Sequence, residues 1–349
     1  MGRSPGILKH LLTEVVGSGP KTACDMQQDQ ARRAFRAILE QQSNPVTLGA
    51  FLLANRWKKN TPEELAAFIE VMHDQAVRVK PVNNNAVDIG ANYDGKVHTV
   101  LLGVAAGIIA AAVGVPIVVH SGDRIPTKYG CTYTHVLDEL GVRTDLSSGE
   151  SRRMVEETGF GFFYQPRCNP AVHNLLDIRN NMGVRTFLNT IEKLANPAGA
   201  PVHLGSFYHL AFAKRVIETL KAVPSYSMER ILLFQGLEGY DDVRPGYTKV
   251  VERRNGDLHD FDLQTAEYGL HLSREDLRSD RLPEDSAAIT EQVLSGEHLP
   301  GFTEAVWLNA AVRLYAGDAT HSIEQGMAVA QQVIQTGKPI RILQQLREF

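Results

Sequence analysis

The chain is poor in cysteine and in net charge, and each shortage excludes a class of protein. Its three cysteines, Cys24, Cys131 and Cys168, are far apart and form no CxxC pair, which argues against a disulfide framework and against a zinc site. A formal net charge of -4 over 349 residues gives no global reason to expect nucleic acid or an anionic membrane as a partner, although a local basic face is still open. These shortages predict a protein of the reducing cytoplasm.

Long hydrophobic runs are also scarce, and the one exception is the charge-free segment from Thr99 to Val119. Its length alone would allow it to cross a bilayer. Three glycines and a proline divide it, however, so a buried helix followed by a short buried strand explains the pattern better. The amino terminus has too short an apolar run for a secretory signal and is typical of an amphipathic helix. We therefore predict no membrane partner.

The chain has two parts of different pattern. Residues 1–80 are expected to form helices, because apolar positions recur on one helical face and Thr61, followed by Pro62, is typical of a helix N-cap. A break rich in proline and asparagine follows. Beyond it, apolar strands alternate with helices, which predicts an α/β domain at 81–349 with a largely parallel sheet. The clearest elements of that domain are strands at Val115–Val119, Gly159–Tyr164 and Ile231–Phe234 and a helix at Phe302–Tyr315.

The stretch from Val87 to Val142 carries the strongest signal for chemistry. An apolar strand leads into a loop containing glycine, then an apolar helix, a second strand and a polar loop, which is how α/β proteins build a phosphate pocket. Ala91, Asn92 and Tyr93 stand where a bare phosphate cradle would prefer glycine. The segment thus predicts the scaffold of a phosphate site, with side chains intruding on the loop.

Three further groups of charged residues each allow two interpretations. Asp241 and Asp242 form either a divalent-cation site or ordinary turn acids. Arg179 either offers its fork to a ligand carboxylate or pairs within the protein. The acidic segment at 257–262 contains a histidine, but its ligand types follow no fixed spacing, so we predict a polar hairpin turn there instead of a metal site.

Several segments in the right order resemble the anthranilate phosphoribosyltransferase family. The resemblance covers nearly the whole chain, from LGAFLLANRWKKNTPEEL near the amino terminus, through GVRTFLNTIEKLANPAG at 183–199, to an Asn-Ala-Ala helix at 309–311. It implies a small all-α N-terminal domain at 1–80 and an α/β domain at 81–349, the architecture of nucleoside phosphorylases and phosphoribosyltransferases, with 170–196 packing on the helical domain. It also implies a homodimer formed through the N-terminal helices.

The resemblance implies transfer of a phosphoribosyl group from phosphoribosyl pyrophosphate (PRPP) to an anionic aromatic acceptor, with magnesium neutralising the pyrophosphate. Arg179 matches the family's arginine for the acceptor carboxylate, and the Asp241–Asp242 pair matches its magnesium-binding acids. No catalytic residue is assigned. The expected metal ligands are Asp241 and Asp242, and the expected substrate-binding residues are Gly90, Asp94, Gly95, Lys96, His120, Arg124, Lys128, Asn169 and Arg179.

The chain also departs from the family's pattern. Gly90 to Gly95 keeps three of the six positions of the family's Gly-Thr-Gly-Gly-Asp-Gly loop. The segment at 100–103, which reads VLLG, replaces the family's polar Asn-Ile-Ser-Thr segment. Asn169 replaces a histidine beside the acceptor. Two alternatives follow: a pyrimidine-nucleoside-phosphorylase-like enzyme in which Lys96 and Ser121 hold phosphate, and a non-catalytic relative that binds a ligand, protein or nucleic acid.

Overall fold

A computed structural model describes residues 6–17, 19, 21–41, 43–80, 85–226 and 228–349. One seven-stranded sheet organises the larger part of the chain, in the order β3-β2-β1-β4-β5-β6-β7. The first five strands in that order are parallel, and the last two form an antiparallel extension. The strands are β1 Val87–Gly90, β2 Ile117–Ser121, β3 Phe160–Tyr164, β4 Val202–Phe207, β5 Arg230–Gln235, β6 Tyr247–Arg254 and β7 Asp257–Gln264.

Helices precede the sheet and cover it. The described part of the chain contains α1 Ile7–Leu11, α2 Gln28–Leu39, α3 Pro45–Lys58, α4 Pro62–Gln75, α5 Gly103–Val113, α6 Tyr133–Glu139, α7 Ser148–Thr158, α8 Gln165–Cys168, α9 Pro170–His173, α10 Leu176–Met182, α11 Leu188–Ile191, α12 Leu210–Ala222, α13 Glu284–Leu294, α14 Phe302–Ala316, α15 Ile323–Gln335 and α16 Lys338–Arg347. Short helical turns lie at Leu12–Val16, Glu192–Leu194, Leu237–Gly239, Thr265–Tyr268 and Glu275–Leu277.

The main core lies between the sheet and the helices α5, α14 and α15. Helix α5 is apolar on every side and is buried from Gly103 to Ala112, as the charge-free sequence run predicts. Gly107 lets this helix approach β3 closely, since a Cβ atom there would lie 2.8 Å from the Phe160 ring. Among the described residues, no helix is long and apolar enough to span a membrane.

A second core joins the N-terminal helices to later segments. Phe35 of α2, Phe68 of α4 and Phe187 form one aromatic cluster, with ring centroids 4.2–5.6 Å apart. Val172 and Leu175 are buried in the same core. The predicted domain boundary falls at residues 80 and 81, and 81–84 lie outside the described residues, so the division stays a prediction.

Most of the predicted local elements are present. Thr61 caps α4 in a reciprocal capping box, in which its side chain accepts from the Glu64 N–H and the Glu64 side chain accepts from the Thr61 N–H. The acidic segment at 257–262 is not a turn: it forms most of strand β7, which pairs with β6 around a turn at Asn255 and Gly256. Lys249 binds Asp260 and Asp262 across that hairpin.

Candidate active-site cleft

A cleft of about 490 Å³ opens beyond the carboxyl ends of β1, β4 and β5, where ligands bind in open α/β sheets. The lining comes from the loops that follow β1, β2, β4 and β5. Helix α3, the segment before β4 and the start of α12 complete it. Its lining residues are Arg56, Asn92, Lys128, Arg185, Thr186, Asn189, Thr190, Lys193, Ser206, Phe207, Tyr208, His209, Phe212, Glu238 and Gly239.

A second cavity of about 410 Å³ continues the cleft along the loop after β5. The two share Lys128, Phe207, Tyr208 and Glu238, so they form one continuous groove. The second cavity also exposes Arg244 and Arg274, and it carries the groove out to residues 97 and 98 in the loop after β1. The groove therefore has room for a ligand with two bulky groups, one in each cavity.

The cleft is cationic although the chain is slightly acidic. Its basic lining residues are Arg56, Lys128, Arg185 and Lys193, and Glu238 is the one acid among the described residues that line it. The Glu238 carboxylate is already occupied, because it accepts from the N–H groups of residues 97–99 at 2.9–3.2 Å. Burial alone would raise the pKa of Glu238, but these donors lower it overall. The uncompensated charge of the cleft is positive, which suits an anionic ligand.

Asp94 lies behind two of these cations. It is buried, its carboxylate accepts a hydrogen bond from Arg185, and Lys128 Nζ lies 3.8 Å from its other oxygen. Lys128 also donates to the backbone oxygens of Gly95, at 2.6 Å, and Glu238, at 3.1 Å. Asp94 was predicted to bind substrate, and that role stays a prediction. Since a carboxylate repels phosphate, its contacts suit it better to holding the two basic side chains that can face one.

Lys193 forms the floor of the cleft. Its ammonium donates to the Ser206 carbonyl at 2.6 Å, lies 3.5 Å from the Asn92 side-chain oxygen, and packs over the Phe212 ring. Among the described residues, no carboxylate binds it directly. Burial, together with the charge of the nearby Arg185, lowers the pKa of Lys193 to about 8. The group is therefore a desolvated cation without a bonded counterion, in a position that an anionic ligand can reach.

Arg179 does not offer its guanidinium to the cleft. Both side chains of the Arg179–Glu192 pair are buried, and the fork donates to the two Glu192 oxygens at 2.5 and 2.9 Å. Gln165 donates to the same carboxylate. Glu192 thus occupies the fork that was predicted to meet the acceptor. Pairing inside the protein was the other interpretation of this arginine, and its partner is Glu192.

The Asp241–Asp242 pair does not fit a magnesium ion. Both carboxylates are completely buried, and each is bonded to a cation of the chain: Arg313 Nη2 donates to Asp241 Oδ2 at 2.5 Å, and Lys96 Nζ donates to Asp242 Oδ2 at 2.8 Å. Magnesium keeps several waters and needs near-octahedral oxygen ligands. Across the described ranges, no group of three histidine, cysteine or acidic side chains is arranged to hold a metal. The assignment of these two residues as ligands stays a prediction that this geometry does not favour.

His120 belongs to a buried network beneath the cleft. Its ring Nε2 lies 3.2 Å from Asp88 Oδ1, while His203 contacts the other Asp88 oxygen at 2.8 Å. The Tyr93 hydroxyl lies 2.5 Å from His120 Nδ1 and ties the loop after β1 to β2. Burial alone would raise the pKa of Asp88, but the two histidines lower it overall. His120 therefore positions this loop and does not line the cleft.

The other predicted residues also lie outside the lining of the cleft. A Cβ atom at Gly90 would lie 2.5 Å from the His203 ring, and one at Gly95, where φ is +74°, would lie 2.5 Å from the Cys131 carbonyl, so packing explains both glycines. Asn169 is buried, and Arg124 is exposed and donates to the Tyr129 carbonyl. Of the predicted substrate-binding residues, Lys128 alone lines the described cleft.

Sequence reasoning missed Arg56, Lys193 and the aromatic wall formed by Phe207, Tyr208 and Phe212. One signal was available. Glu192 and Lys193 place two charges inside the otherwise uncharged stretch FLNTIEKLANPAG, and both prove to be buried. Buried charges require partners or a ligand, so such a pair in an apolar setting marks a candidate site.

Sequence comparison assigns this fold and cleft to a class. Residues 10–76 match the helical bundle domain of a glycosyl transferase family, and residues 83–340 match its a/b domain. Together these matches account for the helices ahead of the sheet and for the sheet itself. The chain belongs to this glycosyl transferase family.

Within the family, the chain is similar to anthranilate phosphoribosyltransferases. It is 33% identical to the Burkholderia ambifaria enzyme over 330 residues, which cover 92% of each chain. The Thermus thermophilus enzyme is 27% identical, with a TM-score of 0.83 over 99% of both chains. The Saccharomyces cerevisiae enzyme in complex with PRPP and Mg is 20% identical and shares the fold, with a TM-score of 0.78 over 92% of this chain and 93% of that one. The predicted family and fold class are confirmed.

Proposed function

We propose that this chain is a phosphoribosyltransferase that uses PRPP and passes the phosphoribosyl group to an anionic aromatic acceptor. One observation carries the proposal. Lys128, Arg185 and Lys193 converge on a cleft at the carboxyl ends of the strands, in a fold shared with anthranilate phosphoribosyltransferases. The similarity to the Burkholderia ambifaria enzyme over nearly the whole chain supports the same reaction type.

The three cations are suited to the leaving group of this reaction. The bond between the ribose anomeric carbon and a pyrophosphate oxygen breaks while the acceptor bonds to that carbon, so negative charge grows on pyrophosphate. Fixed cations in a partly dry cleft stabilise that charge more than water does, because they need no reorientation. Asp94 holds Arg185 and Lys128 in place. We therefore assign pyrophosphate binding to the end of the cleft where these residues meet Lys193.

The acceptor is assigned to the aromatic wall. Phe207, Tyr208 and Phe212 line the cleft on the side of α12, where a planar ring can stack against them. Because Glu192 closes the fork of Arg179, we propose that Arg56 meets the acceptor's negative charge. The Arg56 side chain is exposed and is held at the cleft by a bond from its Nη1 to the Arg185 carbonyl at 2.5 Å.

Magnesium stays the expected cofactor, since the Saccharomyces cerevisiae enzyme was solved with PRPP and Mg. A bound magnesium ion would neutralise phosphate charge. Because the Asp241–Asp242 pair does not fit the ion, we assign no metal to that pair. The proposed roles of Lys128, Arg185 and Lys193 do not depend on a metal there.

Turnover tests the proposal. Purified protein is incubated with PRPP, magnesium and anthranilate or related aromatic acids, and pyrophosphate release is followed. We expect acceptor-dependent release that Arg185→Gln greatly slows and that Arg33→Gln, a change of the same kind at an exposed arginine of α2, leaves unchanged. Absence of release with every acceptor, together with absence of PRPP binding, would overturn the proposal.

One alternative keeps support from the structure. Because internal groups occupy both Arg179 and the acidic pair, a chain that binds a phosphorylated ligand without turning it over is consistent with the geometry, and PRPP binding without pyrophosphate release would favour it. The phosphorylase-like alternative is disfavoured. Lys96 and Ser121 are buried and bonded within the protein, and neither lines the described cleft.

We also propose that the chain forms a homodimer through α3. Val46, Leu53 and Trp57 recur at helical spacing on that helix and are 81%, 37% and 69% exposed. We expect light scattering with size-exclusion chromatography to give a dimer for the parent and a monomer for Trp57→Glu, because the variant would bury a charge at the interface. Trp57→Phe serves as the control and should stay dimeric. A monomeric parent would contradict the proposal.

We also propose a cytoplasmic location. Cys24, Cys131 and Cys168 are all free, which suits a reducing compartment.

Finally, we propose a division into domains at 1–80 and 81–349. The separate matches at 10–76 and 83–340 support this domain boundary.

A further inference from the structure

Lys96 reaches from the loop after β1 into a buried cluster of oxygen atoms. Its ammonium donates to Asp242 Oδ2 at 2.8 Å and to the Val100 carbonyl at 2.5 Å, and its side chain is fully buried. Carboxylate and carbonyl oxygens at such a point are also the ligands of hard divalent cations. The oxygen atoms that bind the Lys96 ammonium are therefore of the kind that would also bind a metal ion.

The neighbouring aspartate is neutralised in a similar way. Asp241 Oδ2 accepts from Arg313 Nη2 and from the Tyr133 hydroxyl, each at 2.5 Å. Arg313 is fully buried in α14 and is fixed by a second bond to the Asn309 carbonyl at 3.0 Å. The two carboxylates and two cations give the cluster no net charge. The cluster therefore has no net electrostatic attraction for a divalent cation.

Capacity for ligation is nevertheless retained. The second oxygen of each aspartate, Asp241 Oδ1 and Asp242 Oδ1, is buried and has no hydrogen-bond partner within the part of the chain that the structure describes. Loss of the Lys96 ammonium would free the Val100 carbonyl and leave Asp242 Oδ2 with the Leu102 N–H at 3.3 Å as its remaining donor. It would also leave one negative charge in a low-dielectric interior. We propose that Asp241 and Asp242 form a latent divalent-cation site, which Lys96 fills in place of a metal.

The backbone holds Lys96 in this place. Lys96 pairs with Cys131 in an isolated antiparallel bridge, with both backbone bonds made, at 2.9 and 2.7 Å. On the other side, Gly103 leaves room for the Tyr133 hydroxyl, which would lie 2.1 Å from a Cβ atom at that position. The ammonium is therefore a fixed part of the cluster. The inference goes beyond the proposed function and does not need the chain to transfer phosphoribose.

Manganese binding without substrate tests the inference. In electron paramagnetic resonance titrations, we expect the parent to leave the signal of free Mn²⁺ unchanged, and Lys96→Met to bind about one Mn²⁺ per chain. The Tm of Lys96→Met should fall below that of the parent and recover in Mn²⁺ or Mg²⁺. Arg179→Met, which removes a buried cation from Glu192, its one salt-bridge partner among the described residues, should lose stability without any recovery in metal.

Further variants keep the test decisive. Adding Asp242→Asn to Lys96→Met should abolish the new Mn²⁺ binding. If Lys96→Met does not fold, Lys96→Gln replaces it, because its amide can still donate to the Val100 carbonyl. Two results would overturn the inference: Mn²⁺ binding by the parent that Asp241→Asn with Asp242→Asn removes, or a folded Lys96 variant that binds no Mn²⁺. Neither readout involves PRPP, so a failed transfer assay leaves this result distinct.

Discussion

Lys193→Met is expected to weaken PRPP binding by about 10- to 100-fold. The reason is the loss of a hydrogen bond from a charged donor, which costs about 1.5–3 kcal/mol. The ammonium is the cation of the cleft floor that no carboxylate binds directly, so its charge is available to the ligand. Methionine keeps a similar shape and removes both the charge and the N–H donors of the ammonium. Isothermal titration at neutral pH measures the loss.

The same residue should make binding depend on pH. Burial lowers the pKa of Lys193 to about 8, so the free protein loses this charge as the pH rises through 8, and PRPP affinity should fall there. Lys193→Arg should flatten the profile, because a guanidinium stays charged. Lys214→Met, at an exposed lysine of α12, is the control and should bind like the parent. Full affinity in Lys193→Met would contradict the assignment.

The pH dependence of stability has the opposite sign. Between pH 8 and the ordinary lysine pKa of 10.5, the unfolded chain keeps a proton at Lys193 that the folded chain has released. Stability rises with pH wherever the unfolded state binds more protons, so this group favours the folded state increasingly over that window. Weaker ligand binding at high pH would therefore not reflect unfolding caused by Lys193.

Glu192→Ala is expected to be the most destabilising of the single substitutions considered, at about 3–5 kcal/mol, because it leaves the buried Arg179 without its counterion. The Arg179 fork would keep no carboxylate, and Gln165 would lose its acceptor as well. Urea denaturation followed by circular dichroism measures the free energy of unfolding.

A paired variant separates the charge effect from lost packing. Replacing both partners, as Arg179→Met with Glu192→Leu, removes the buried charge together with its counterion and should restore most of the stability. The partly exposed pair Arg32–Glu70 supplies the control, since Glu70→Ala should cost far less. Equal stability of Glu192→Ala and the parent would show that the bidentate pair does not contribute as described.

Local signals in the sequence predicted much of the fold. The N-cap at Thr61 and the charge-free run that becomes α5 and β2 depend on neighbours within a few residues. Strand β4 was not predicted, because its sequence includes the polar His203. In the fold, His203 is buried beside Asp88 of β1, a contact that the local sequence does not show. The hairpin of β6 and β7 appeared as a turn, because charged residues occupy the exposed edge strand.

The site was predicted less well, for a physical reason. The sequence marked Asp241, Asp242 and Arg179 as charged groups in favourable positions, but whether a charge is free depends on partners that are distant in sequence. Lys96 is 146 residues from Asp242, and no local pattern joins them. Arg313, a single charge inside the apolar helix AAVRLYA, was a signal that could have been used.

The most direct test of the central claim is isothermal titration of PRPP into the purified parent, with and without magnesium. We expect saturable binding in the presence of magnesium that Lys193→Met weakens by about 10- to 100-fold and Lys214→Met leaves unchanged. That result would place the anionic ligand in the cationic cleft. No heat and no thermal shift at millimolar PRPP under either condition would contradict the account.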